Sequence, residues 1–175
     1  MRRNIFTEVT FLIYISIIIA ILAVILDQLF KYLVVVNIPL GDTANFIPGL
    51  LNFTYIRNTG VAFGMFKDAR LFFIIFTLIV IGLILFFMIK NKDKSKVFYI
   101  ACGLILGGGI GNLIDRIRLG YVIDFLSLSF FSPICNFADY CITAGTILLI
   151  IYLLFIYKSK PKNKEKANAK SSSNS

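Results

Sequence analysis

The chain has 175 residues, 58% of them hydrophobic, and carries a formal net charge of +9 with no histidine at all. Its apolar excess over an ordinary soluble domain is gathered into long runs, which places it in the membrane class. The lack of histidine excludes every Ser-His and Cys-His nucleophile pair and removes the commonest zinc ligand.

The first apolar run extends from Val9 to Val36 and is interrupted by Asp27, Gln28 and Lys31. It begins like a signal peptide, but it is too long and no small-residue cleavage site closes it, so it reads as a retained span. Asp27 and Lys31 stand at i and i+4, where an ion pair on one helical face is expected. The 37–70 connection is long. LNFTYI has strand character, NTG with Gly60 is a turn signal, and VAFGMF is apolar. It predicts a small β-element lying on the bilayer or gripping a substrate.

The second run is Leu71–Ile89, the third Val97–Ile114 and the fourth Ala138–Tyr157. Each supplies the roughly 20 apolar residues that a helix needs to cross a bilayer. Within the third, Gly103, Gly107 and Gly111 recur every fourth residue, the spacing that lets membrane helices approach closely. The adjacent stripe is Gly108, Asn112 and Arg116, beside Asp115. Cys102, Cys135 and Cys141 have no paired spacing, and nothing is present to activate a cysteine.

Charge orients the spans. Arg2 and Arg3, the four lysines of KNKDKSK (90–96) and the six of the tail lie on one side. They are accompanied only by Glu8, Asp93 and Glu165, so the whole net charge sits there. Both termini therefore read as cytoplasmic, and the 37–70 and 115–137 connections as extracytoplasmic. The same asymmetry explains the high pI without nucleic acid. The expected layout is one membrane-embedded domain over 1–157 and a disordered basic tail over 158–175.

Two acids remain. Asp124 precedes the apolar stretch FLSLSFF, and Asp139 opens the fourth run, where it could serve as an N-cap. Both are expected at the outer surface, level with Asn112, Arg116 and Asn136. Two neighbouring carboxylates cannot both ionise cheaply, so they share a proton. One can take a proton from water while the other gives one to a carbonyl oxygen. That chemistry hydrolyses a peptide without histidine, metal or covalent intermediate.

Four blocks in order carry a resemblance: DQLFK (27–31), NTGVAFG (58–64), GGGIGNLIDRIRLGYVIDF (107–125) and NFAD (136–139). Together they resemble the boxes of the bacterial lipoprotein signal peptidases, the signal peptidase II family of aspartyl peptidases. The resemblance implies an all-α polytopic membrane protein, a four-transmembrane-helix bundle with a small extracytoplasmic β-cradle between spans one and two. It implies Asp124 and Asp139 as the catalytic pair, supported by Asp27, Lys31, Asn58, Gly60, Gly108, Asn112, Arg116 and Asn136. It also implies prolipoprotein substrates bearing a diacylglyceryl-cysteine, no cofactor, a monomer in membrane lipid, and sensitivity to globomycin-type cyclic peptides. Phe30, Gly109 and Cys135 depart from the family pattern. Two rivals fare worse. The GxGD segment of presenilin-type peptidases does not occur, and a transporter would carry its polar residues through the membrane rather than at one face.

Overall fold

The computed structural model describes residues 5–60, 70–91, 93 and 95–157, with side chains from Thr7 onward. The VAFGMF stretch, the two N-terminal arginines and the tail lie outside the described residues. Four helices are long and apolar enough to cross a membrane: α1 (Ile5–Asn37), α2 (Arg70–Lys90), α3 (Lys96–Arg118) and α4 (Phe137–Ile151). The last runs on into a π-helical turn, Tyr152–Tyr157. These are the four runs read from the sequence, with α3 longer than its apolar part.

α3 is the centre of the bundle. Of its most apolar window 67% is buried, against 6% for α2 and 22% for α1. The others turn Phe11, Ile18, Leu22, Phe76, Ile79 and Phe155 outward, as helices bathed in lipid do. Small residues set the spacing around α3. A methyl group at Gly107 would stand 2.6 Å from Ala23 Cβ and 2.8 Å from the Ala20 carbonyl, and one at Gly103 2.7 Å from the Ser16 carbonyl. The stripe 103–107–111 therefore faces α1. Gly108, one residue round, faces α4, where a methyl group would collide with the Ala138 carbonyl. Gly109 points elsewhere, and a methyl group there meets nothing nearer than Thr77 at 3.7 Å.

A four-stranded antiparallel sheet in the order β1-β2-β3-β4 stands at one end of the bundle: β1 (Thr43–Ile47), β2 (Leu51–Asn58), β3 (Val122–Leu128) and β4 (Phe131–Cys135). Here the expected fold class needs correction. Two of the four strands come from the connection between α3 and α4, so the sheet is not confined to the loop between spans one and two, and "all-α" is too narrow. FLSLSFF, read as an apolar or interfacial stretch, largely belongs to β3 and the turn after it. The reason is physical: a lone hairpin such as β1–β2 is marginal, and pairing β2 to β3 stabilises both. Their register sets Ile56 opposite Asp124 and Asn58 opposite Val122.

The pleat then sorts the side chains. Ile123 and Phe125 pack with Tyr55 and with Val34 and Ile38 from the last turns of α1. Asp124, between them in β3, points to the other face. With 33 residues α1 is about 50 Å long, more than a bilayer core requires, and its surplus carries the sheet.

Candidate active site

Six buried polar or charged residues, Asp27, Lys31, Asn112, Asp115, Asp124 and Asn136, gather where the C-terminal ends of α1 and α3 meet β3 and the start of α4. Every buried side-chain nitrogen or oxygen among the described residues has a hydrogen-bond partner. Such a cluster is stable only when satisfied in this way.

Asn136 joins the two acids. Its side-chain amide donates to Asp124 Oδ1 at 2.6 Å, and its backbone N–H donates to Asp139 Oδ2 at 3.1 Å. Its own Oδ1 accepts the Asp139 N–H at 3.0 Å. Asn136 is thus the N-cap of α4, and Asp139 is the third helical residue of a reciprocal capping box. An N-cap is one reading of Asp139 from the sequence. The structure puts it one turn in, with Oδ1 left free to accept from Asn112 Nδ2 at 2.8 Å. Asp124 is almost wholly buried (1% exposed), whereas Asp139 is only half-buried.

Three asparagine amides surround the acids, and each is fixed in orientation by a group that can only donate. Lys31 Nζ donates to Asn112 Oδ1 at 2.9 Å, so the Asn112 NH₂ must face Asp139. The Gly60 N–H donates to Asn58 Oδ1 at 3.0 Å, so the Asn58 NH₂ faces Asp124 Oδ2 at 2.8 Å. Gly60 does this from φ 149°, a conformation that a side chain would strain. Asn136 is held likewise by the Asp139 N–H. The result is four donors aimed at two carboxylates. Burial pushes the Asp124 carboxyl up to about 6; the Asn58 amide opposes the rise and the Asp139 charge adds to it.

Behind this layer lies an ion triad. Lys31 pairs with Asp27 at 2.8 Å, as the i, i+4 spacing predicts, and with Asp115 at 2.9 Å. Each acid of the triad also accepts a backbone N–H. Asp27 takes that of Ala138 at 2.9 Å, and Asp115 that of Ile123 at 3.1 Å. Ala138 immediately precedes Asp139, and Ile123 immediately precedes Asp124. One lysine therefore anchors the backbone beside both acids and, through Asn112, the side chain of one. Gln28 completes the layer, donating to Asp115 Oδ1 at 3.0 Å and approaching Asp27 Oδ2 at 3.2 Å.

All ten site residues expected from the sequence thus lie in or against this cluster. Arg116 lies over the Phe73 ring at 4.9 Å and donates to the Asn112 carbonyl at 3.4 Å. Its charge bears on Asp139 and Asp124. Gly108 lets α3 touch α4 at Ala138, beside Asp139. Asp115 serves Lys31, and its charge also bears on Arg116. Gln28 had no assigned role; its signal was its place between Asp27 and Lys31 in DQLFK. Among the described residues, no group of three or more acidic or cysteine side chains could hold a metal ion.

The family model for signal peptidase (SPase) II matches residues 19–155. The chain belongs to the signal peptidase II family. It is 44% identical over 144 residues to a lipoprotein signal peptidase of Enterococcus faecalis, covering 82% of this chain and 89% of that one. It is 46% identical over 137 residues to one of Streptococcus thermophilus, covering 77% and 90%. A solved structure described as a bacterial membrane enzyme superposes with a TM-score of 0.77 at 38% identity, covering 84% of this chain and 92% of the other. A second with the same description gives 0.76 at 39%. As a signal peptidase II the chain is an aspartic peptidase and a multi-pass membrane protein.

Proposed function

We propose that this chain removes the signal peptide from diacylglyceryl-modified prolipoproteins, cutting before the lipid-bearing cysteine at the outer face of the cytoplasmic membrane. Asp124 and Asp139 are the catalytic pair. The observation that carries the assignment is their common tether, with Asn136 donating to Asp124 from its side chain and to Asp139 from its backbone. Both termini are cytoplasmic, the chain acts as a monomer, and globomycin-type cyclic peptides occupy the same site.

The asymmetry of the pair assigns the proton. Buried Asp124, with its raised pKa of about 6, holds the proton and gives it to the scissile carbonyl oxygen. Half-buried Asp139, held by Asn112 and the Asn136 N–H, accepts a proton from the attacking water. Arg116 balances the charge of the pair. Once the substrate's acyl chains lie in the outer leaflet, their burial adds roughly 0.8 kcal/mol per CH₂ and fixes the peptide bond near the acids.

The test is a pH profile. An acid whose folded pKa is raised holds its proton below that value and loses it above. Cleavage needs one proton on the pair, so kcat/KM for a lipidated precursor falls as pH rises through about 6. Bound substrate excludes water and raises the pKa further, so kcat falls at higher pH than kcat/KM does. Asn58 donates to the ionised form; hence Asn58→Leu moves the falling limb to higher pH. A limb that stays in place, or moves toward acid, removes Asp124 from the proton-holding role.

A further inference from the structure

At the end of the bundle remote from the acids there is a cavity of about 860 Å³. That is within the size range of small-molecule sites. Ile84 and Phe87 of α2 line one side, Leu149 of α4 and Leu153 of the π-helical turn the other, with Phe98 of α3 between them. α2 and α4 both pack on α3 and barely touch each other, so the cavity is a cleft open sideways to the bilayer.

The cleft is polar at one end only. Tyr152 donates to Asp93 at 3.0 Å, and the Tyr99 hydroxyl donates to the Asn91 carbonyl at 3.0 Å. Lys90 lines the same end. The wall from α4 is distorted here, because the π-helical turn starts at Tyr152, itself buried. Such turns are rare and concentrate at functional sites. An apolar trough capped by a polar rim matches a glycerophospholipid, acyl chain inward and head group at the rim. The charged residues lining the rim are Lys90 and Asp93, and the positive excess belongs to the connection as a whole. The KNKDKSK connection sets four lysines against one aspartate, a balance that attracts anionic lipid. The same lysines would repel the positively charged leading segment of a signal peptide.

We propose that this cleft is a binding site for one anionic glycerophospholipid, with an acyl chain between α2 and α4 and the phosphate at Lys90. The inference rests on reading the four helices as membrane-spanning and not on the peptidase chemistry. It is tested by native mass spectrometry of the full chain, stripped in detergent and then offered phosphatidylglycerol or phosphatidylcholine. The wild type should retain one phosphatidylglycerol and bind phosphatidylcholine several-fold less tightly. Lys90→Gln should weaken phosphatidylglycerol about fivefold. Leu153→Trp, which plugs the cleft from a half-exposed position, should abolish retention. Unfolding temperatures near that of the wild type show that both variants fold. Retention of no lipid, equal retention of the two lipids, unchanged binding by folded variants, or one-for-one displacement by a lipidated precursor would each overturn the assignment. Precursor cleavage is scored separately. A chain that cuts but holds no lipid refutes only this inference, and one that holds lipid but does not cut refutes only the peptidase reading.

Discussion

Asp124→Asn and Asp139→Asn are each expected to lower kcat on a lipidated precursor by roughly 10²–10⁴-fold, the range for losing a general acid or base. The two losses should not add. In the proposed mechanism the acids act as one proton-sharing unit, so the double variant should be about as inactive as either single one. The two substitutions differ in their cost to the fold. Asp124 accepts from Asn58 on one oxygen and from Asn136 on the other. An asparagine there sets an NH₂ against one of those donors, at a cost of about 1–3 kcal/mol. Asp139→Asn meets the same conflict, but in a half-buried site where water can relieve it. Thermal unfolding of each variant, beside a steady-state cleavage assay, separates the catalytic loss from the folding loss. Activity surviving in both folded variants would return Asp139 to a helix-capping role.

Lys31→Met is expected to be the most destabilising single substitution in the cluster. Asp27, Lys31 and Asp115 are all at least 98% buried. Removing the lysine strands two carboxylates in the interior, which typically costs about 3–5 kcal/mol. The damage should reach the chemistry, because the triad acids hold the Ala138 and Ile123 N–H groups beside Asp139 and Asp124. The Asn112 amide also loses the donor that fixes its orientation. The Asp27→Asn, Lys31→Met, Asp115→Asn triple variant leaves no buried charge in the triad and should recover much of the unfolding temperature while remaining slow. Recovery of full activity in the triple variant would reduce the triad to a structural lock. An unfolding temperature unchanged in Lys31→Met would show that the pair carries little of the fold.

Local patterns were legible in the sequence, and distant pairings were not. The four spans follow from apolar runs, and the Asp27–Lys31 pair from i, i+4 spacing. That α3 packs closely on a neighbouring helix follows from Gly103, Gly107 and Gly111, although which helix it meets does not. These features involve residues within a turn or two of each other. The second half of the sheet escaped because VIDFLSL becomes a strand by pairing with LNFTYIRN, some seventy residues upstream. Asp115 pairs with a lysine 84 positions away, which no spacing rule reports. α3 continues to Arg118, past the end of its apolar run, because Asn112 and Asp115 are buried on the polar side of the bundle. Asp139 stands at the helix end that the sequence indicates, one turn in from the cap. The capping box that fixes its position depends on the extended backbone of Asn136, φ −131° and ψ 178°.

The most direct test of the central claim is the cleavage position and lipid dependence of the purified chain, read by mass spectrometry. The substrates are one prolipoprotein with and one without the diacylglyceryl group. The account predicts a single cut immediately before the lipid-bearing cysteine, with the unmodified precursor left intact over the same time. Equal cutting of the two precursors, or a cut at another bond, would contradict it.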